Sequence, residues 1–203
     1  MKILEKYITN KEILERFEKN FEKLLYFKFL VFKWNKKINL TSYNENEFFF
    51  HALIEPLIIF NALPPFKEIL DIGTGFGNPS VTYSIIFPET NVFCSEINKK
   101  KLSFLNFLKF ELNLTNFIIT KTYKKNYQCI TARAFKSFNS FLKFLKKENI
   151  SGNYLLFFFK ENNFKKKSVI KMVNYKFANK EYLQVLFNLK LLLEDWKNTL
   201  LLK

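Results

Sequence analysis

Apolar side chains recur at helical spacing from Ile3 to Phe32, with Ile13, Leu14, Phe17, Phe21, Leu24 and Leu25 along one face. That pattern predicts one long amphipathic helix or two short ones. The polar stretch Trp34 to Thr41 interrupts it. Ser42 or Asn44 then stands where it can cap a further helix carrying Phe48 to Phe50, His51 and Leu57. Pro64-Pro65 closes this section, which divides the chain into a helical extension, 1–65, and a second unit, 66–203. From Lys67 onward the period changes. Short apolar runs near Ile69 to Ile72, Val92 to Cys94, Phe117 to Ile119, Cys129 to Thr131 and Tyr154 to Phe159 read as strands. Between them, Val81 to Phe87, Lys99 to Leu112 and Phe138 to Lys147 read as helices. Strands alternating with helices predict an α/β fold with a mostly parallel sheet. In the tail, alternating Tyr182 to Phe187 and a closing Thr199 to Leu202 predict an antiparallel pair at the sheet edge.

The chain has only four glycines, and three of them, Gly73, Gly75 and Gly77, lie within Ile69 to Asn78. An apolar strand runs into Asp71, a tight glycine turn follows, and Pro79 opens a helical segment. Such a turn offers backbone N–H groups and a helix start to a ligand. Asn78 occupies the sixth position of what would be G-x-G-x-x-G, which argues against a dinucleotide site and a nicotinamide dehydrogenase. The spacing D-x-G-x-G-x-G from Asp71 to Gly77 instead resembles the first motif of class I S-adenosylmethionine (AdoMet) methyltransferases. Glu96, at the tip of the next strand, is placed to accept hydrogen bonds from a ribose diol.

Charge and composition add a candidate partner. The net charge is +15 and the sequence pI about 9.7, a balance suited to a polyanion such as RNA. Part of it reflects a composition rich in Phe, Lys, Asn, Ile and Leu, as A+T-rich coding produces. Against that bias arginine is informative. Of 33 Lys plus Arg residues only Arg16 and Arg133 are arginine, and a position that keeps it needs the planar, bidentate fork. The run Lys99 to Lys101, directly after Glu96, is the candidate RNA contact, with side chains directed away from the glycine turn. Lys165 to Lys167 reads as a solvated face. Cys94 and Cys129 lie in strands without C-x-x-C spacing, so neither a disulfide framework nor a metal site is expected. His51, the only histidine, reads as a hydrogen-bonded core residue. No apolar run is long enough to span a membrane and the first ten residues do not read as a signal peptide; a cytoplasmic monomer is the expectation.

Taken together, these motifs resemble one family, the guanine-N7 methyltransferase G of small-subunit (16S) ribosomal RNA, also called glucose-inhibited division protein B. The family's W-N-x-x-x-N-L-T appears as Trp34 to Thr41, and its D-x-G-[ST]-G-x-G-x-P-G as Asp71 to Ser80. Its D-S-x-x-K-R with a following F-L appears as Glu96 to Lys101 with Phe104-Leu105. The S-R-A after the fourth strand appears as Thr131-Ala132-Arg133-Ala134-Phe135, and G-x-x-L-x-x-x-K as Gly152 to Lys160. There are departures. Ser80 replaces the last glycine, Asn78 replaces an apolar residue, and Thr120 to Lys125 lacks the acid of the family's R-x-E element beside the adenine. His51 to Pro56 echoes H-I-L-D-S without its aspartate in register.

The resemblance implies a class I AdoMet methyltransferase domain behind a helical extension, with AdoMet held by Asp71, Gly73, Gly75, Gly77, Asn78, Glu96 and Arg133. Arg133 is the candidate anchor for the cofactor carboxylate or the guanine edge. The implied substrate is 16S rRNA or the small ribosomal subunit. Guanine N7 carries a lone pair and no proton, so its methylation requires no general base and no enzyme nucleophile, only positioning and exclusion of water. The sequence agrees, having no triad, no N-P-P-[YF] tetrapeptide for exocyclic amines, and no poised cysteine as a 5-methylcytosine enzyme needs. Two other readings are a non-catalytic AdoMet- or RNA-binding module of the same fold and a small-molecule methyltransferase.

Overall fold

The structure, a computed structural model, describes residues 2–124, 126–133, 137–159 and 168–194. The expected closing strand Thr199 to Leu202, the run Lys165 to Lys167, Ala134-Phe135 and Lys160 lie outside the described residues.

The N-terminal stripe folds as three helices, α1 (Lys2–Glu5), α2 (Lys11–Lys19) and α3 (Phe21–Asn35). Asn10 caps α2, its Oδ1 accepting from the Glu12 and Ile13 N–H groups at 3.0 and 3.4 Å. At the other end Asn20 folds back on Arg16, its Nδ2 donating to the Arg16 carbonyl at 2.8 Å. The buried positions Ile13 and Phe17 of α2, and Leu24, Phe27, Leu30 and Val31 of α3, follow the helical period. After α3 the chain turns around Asn35. Its Oδ1 accepts from the Leu40 and Thr41 N–H groups at 2.8 and 3.1 Å, and its Nδ2 donates to the Thr41 carbonyl at 2.9 Å. Asn44, not Ser42, caps α4 (Glu45–Phe48), in a reciprocal capping box with Glu47.

The chain continues from α4 as a π-helical segment, Phe49–Ile54, and a 3-10 segment, Glu55–Asn61. Pro56 gives the reason. It has no N–H to donate back to His51 or Ala52, so both carbonyls are free for other elements. The Ala52 carbonyl accepts from Thr82 Oγ1 at 2.6 Å, and that of His51 accepts from Asn78 Nδ2 at 3.2 Å and Arg133 Nη1 at 2.6 Å.

The sheet has seven strands in the order β3-β2-β1-β4-β5-β7-β6. Strands β1 (Glu68–Ile72), β2 (Asn91–Ser95), β3 (Phe117–Ile119), β4 (Asn126–Ala132) and β5 (Ser151–Phe159) are parallel, as the sequence pattern predicts. Strand β7 (Lys180–Asn188) is antiparallel to both β5 and β6 (Val169–Phe177). The hairpin partner is therefore Val169–Phe177, which turns into β7 through Ala178 and Asn179 at φ 48° and 62°. Two consecutive positive φ values make the tight turn whose twist matches paired strands. Here it lacks the glycine that would have announced it.

Helices α5 (Ser80–Ile86) and α6 (Lys99–Glu111) share one hydrophobic cluster with the N-terminal helices, while α7 (Phe138–Lys147) packs in a second cluster with Leu70, Ile130 and Leu155. The helical extension thus covers one face of the sheet as part of its core. Arg16 fastens it there: the guanidinium takes Glu12 Oε1, Glu89 Oε1 at 2.7 Å and the Ile86 carbonyl at 3.2 Å, a divided geometry that lysine cannot reproduce. Strand β1 stands between β2 and β4, where the strand order reverses, and the crevice beyond its carboxyl end is where such sheets bind ligands.

Candidate functional site

Beyond the end of β1, Gly73, Gly75 and Gly77 take φ values of 73°, 63° and 98°, which only glycine adopts freely. The Ser95 carbonyl at the tip of β2 accepts from the Gly73 and Thr74 N–H groups at 2.8 and 3.1 Å, tying the turn to its neighbour strand. The three glycines then divide by role. A Cβ on Gly73 would meet nothing within 4 Å, and one on Gly75 only the Gly73 carbonyl oxygen at 4.0 Å, so both border open space. A Cβ on Gly77 would stand 2.4 Å from Val81 Cγ2 and 3.5 Å from Leu105 Cδ2. Gly77 therefore lets α5 and α6 close on the loop.

The open space is a cleft of about 360 Å³ walled by Leu40 to Tyr43, Gly73 to Phe76, Asn78, Lys101 and Arg133. Of the sequence-predicted site residues, Gly73, Gly75, Asn78, Lys101 and Arg133 meet there. Asp71, Gly77 and Glu96 do not: the first two shape the cleft from below, and Glu96 stands beside the turn. Asp71 is fully buried, accepts from Ser80 Oγ through Oδ2, and leaves Oδ1 without a partner among the described residues. Ser80 Oγ also lies 2.6 Å from Thr74 Oγ1. Ser80 thus replaces the family's glycine with a hydroxyl that supports the strand-end carboxyl. Burial pushes that carboxyl up to about 7, against the opposing hydrogen bonds of Ser80 and Thr74.

Glu96 lies half-buried beside the turn, with its carboxylate on backbone N–H groups: Gly75 at 3.0 Å on Oε2, Ile97 and Asn98 at 2.8 Å each on Oε1. Oε2 retains acceptor capacity for a further donor. Asn98 caps α6, accepting from Lys100 and Lys101 N–H at 3.0 and 3.2 Å. The three lysines that follow do not share one direction. Lys101 lines the glycine cleft itself, contrary to the expectation that all three turn away from it. Lys100 and Lys101 join Lys37 around an adjoining hollow of about 270 Å³, and Lys99 lines neither.

Arg133 reaches the cleft wall, but its charge is already paired. Nη2 donates to Glu55 Oε2 and Nη1 to the His51 carbonyl, with the Phe158 ring 5.2 Å beneath the guanidinium. Glu55 is the centre of a buried network that also takes His51 Nδ1 at 2.9 Å, Tyr175 OH, and Gln184 Nε2 on its backbone carbonyl. Burial acts to raise the Glu55 carboxyl, yet the Arg133 charge, then His51 and Tyr175, outweigh it and hold it below the usual carboxylate range. The sequence reading missed Glu55. It supplies the carboxylate one position later than the family aspartate, and its i,i+4 spacing from His51 was the available signal. Tyr175 and Gln184 had none, because only the β6–β7 hairpin brings them near. His51 is a buried, hydrogen-bonded residue, as expected. Cys94 and Cys129 are free and buried, and burial pushes both thiols well above their ordinary range. Among the described residues no cluster of three potential metal ligands occurs, and no helix is long and apolar enough to cross a membrane.

The strand order with an antiparallel β7, and a glycine turn facing the crevice between β1 and β2, define the class: this is the class I AdoMet-dependent methyltransferase fold. A solved AdoMet-dependent methyltransferase from Aquifex aeolicus shares it, with a TM-score of 0.51, 14% identity, and coverage of 70% of this chain and 94% of that one. The family profile described as rRNA small subunit methyltransferase G (GidB) matches residues 20–190, and the chain belongs to that family. Among curated relatives, Ribosomal RNA small subunit methyltransferase G of Brachyspira hyodysenteriae is 34% identical over 131 residues, 62% of this chain and 64% of that protein. The protein of the same name from Mycoplasma mobile is 31% identical over 155 residues, 68% of each. The chain spans about two thirds of the length of these curated relatives.

Proposed function

We propose that this chain binds AdoMet in the glycine cleft and transfers its methyl group to N7 of a guanine in small-subunit (16S) ribosomal RNA. One observation carries the reading. Gly73 and Gly75 hold positive φ beside open space, so the loop is a cradle that any Cβ would fill. The residues around it suit AdoMet. Asn78 lines the cleft with a buried Oδ1 that has no partner among the described residues, an acceptor available to an ammonium group. Oε2 of Glu96 can accept from a ribose hydroxyl. The bound cofactor supplies an electrophilic methyl on a sulfonium.

The chain's own contribution is placement. Among the described residues no imidazole or thiol walls the cleft, and the Glu96 carboxylate beside it is held by backbone N–H groups; N7 needs no base, because its lone pair attacks without losing a proton. Tyr43 stands in the wall, stacked on His51 with ring centroids 5.3 Å apart. It offers a flat face for a base. Arg133, held rigid by Glu55 and the His51 carbonyl, places a guanidinium at a fixed position in the same wall. Lys101 places positive charge between the cleft and the lysine-lined hollow, where an RNA phosphate is neutralised. The test is mass spectrometry of 16S rRNA from cells with and without this protein. One guanine should lose its N7-methyl group in its absence; an unchanged modification map overturns the reading.

A further inference from the structure

Apolar side chains in this protein are overwhelmingly inside, which makes the exceptions informative. Among the described residues the exposed phenylalanines are Phe21, Phe29 and Phe110, and all three lie on α3 or α6. A composition bias toward phenylalanine would scatter exposed rings over the whole surface. Instead, Phe29 is 56% exposed and Tyr26 beside it 42%, with their planes 14° apart and centroids 6.1 Å apart. Tyr26 OH donates to Glu111 Oε2 at 3.1 Å, which anchors α3 to the end of α6. There Phe110, 83% exposed, walls a hollow of about 520 Å³ with Lys109, Asn106 and Asn113.

Charge on this face has one sign toward the cleft. Lys33 Nζ lies 5.8 Å from the Phe29 ring centroid, and Lys37 follows in the turn after α3. Residues 30–44 and 97–110 contain no Asp or Glu. Trp34 packs on Phe104 and Phe107 of α6, with centroids 5.4 and 4.9 Å away, so the two helices run side by side from this face to the hollow of Lys37, Lys100 and Lys101. Lys101 belongs to both that hollow and the glycine cleft. A lysine track therefore connects the cleft to an exposed aromatic platform. Cationic grooves that follow a backbone, with rings that stack bases, are how single-stranded nucleic acid is held.

We infer that the exposed rings of the paired helices, Tyr26 and Phe29 on α3 and Phe110 on α6, are a second RNA contact, which stacks unpaired bases of the substrate rRNA while Lys33, Lys37 and Lys100 lead the strand to the cleft. The inference rests on the rRNA reading of the cleft. It does not concern the transfer itself: the platform sets how tightly and in what register RNA is presented.

The experiment measures binding of the full chain to 16S rRNA and to small subunits, with AdoMet affinity alongside. A Phe29→Ser variant, and separately Phe110→Ser, should fold normally because these two rings are mostly exposed. Their rRNA affinity should fall about tenfold or more per lost stack, with AdoMet affinity and the salt slope unchanged, since stacking releases no counterions. Lys33→Gln/Lys37→Gln should instead reduce the slope of log K against log salt by about 0.7 per lysine. If the wild type binds rRNA and the aromatic variants bind it equally well, this inference fails while the proposed activity stands. If the wild type binds no rRNA, the proposed function fails with it. If the variants lose small subunits but keep naked rRNA, the face meets a protein and the inference is overturned. Self-association abolished by the variants, with rRNA binding intact, overturns it in favour of a second copy.

Discussion

The three glycines of the turn look equivalent in sequence, but their surroundings require them to fail differently when a methyl group is added. At Gly75 the backbone sits at φ 63°, inside the left-handed region, and the new Cβ would approach nothing closer than the Gly73 carbonyl oxygen at 4.0 Å. The stability cost of Gly75→Ala is then the conformational one alone, about 1–2 kcal/mol. At Gly77, φ is 98°, outside that region, and the Cβ would stand 2.4 Å from Val81 Cγ2 and 3.3 Å from its Cβ. Val81 belongs to α5, so the helix must move, which adds about 1–3 kcal/mol of overpacking to the backbone strain. With roughly 2–4 °C per kcal/mol for a chain of this size, Gly77→Ala should lower the melting temperature about twice as far as Gly75→Ala. AdoMet affinity should reverse the contrast. In Gly75→Ala the methyl group occupies the cleft, and calorimetry on a folded variant should show binding lost. Equal destabilisation by the two substitutions, or undiminished AdoMet affinity in Gly75→Ala, would refute this division of roles.

Three further outcomes follow from the same geometry. Glu96→Ala should weaken AdoMet and S-adenosylhomocysteine alike by about tenfold or more, as expected for a charge-assisted hydrogen bond of about 1.5–3 kcal/mol; calorimetry showing a twofold change or less would move the ribose contact elsewhere. The Asp71 carboxyl, raised from 3.8 to about 7 by burial, favours the protonated native state. Its contribution is whole below pH 3.8 and is lost as pH rises through about 7. Compared with Asp71→Asn, the wild type should therefore lose about 1.4 kcal/mol per pH unit across that window in denaturant titrations, and parallel curves would reject the assignment. Glu55→Ala leaves the Arg133 charge buried without its partner, at a cost of about 3–5 kcal/mol; a denaturation midpoint within error of wild type would show that the network contributes nothing.

What the sequence determined by itself was everything carried by local pattern. The parallel strands β1 to β5, helices α5 to α7 and the glycine turn were legible because hydrophobic period, caps and glycines act over a few residues. The Asn35 turn was visible as a motif for the same reason. Only the tertiary structure decided the rest. Strand β6 escaped notice because an edge strand exposed along much of its length, with Lys171 and Lys176 in it, has little apolar alternation to read. Which glycine packs and which lines the cleft depended on Val81 and Leu105 arriving from other elements. The path of Lys101 depended on where α6 lies against the Leu40 to Tyr43 wall. Arg133 was legible as a chosen arginine, but its partner Glu55 was not. That pair joins the first residue of the 3-10 segment to the residue after β4, and its companions Tyr175 and Gln184 come from a hairpin at the far edge of the sheet. Contacts between distant segments arise from burial, and a local pattern holds no record of which surfaces will be buried together.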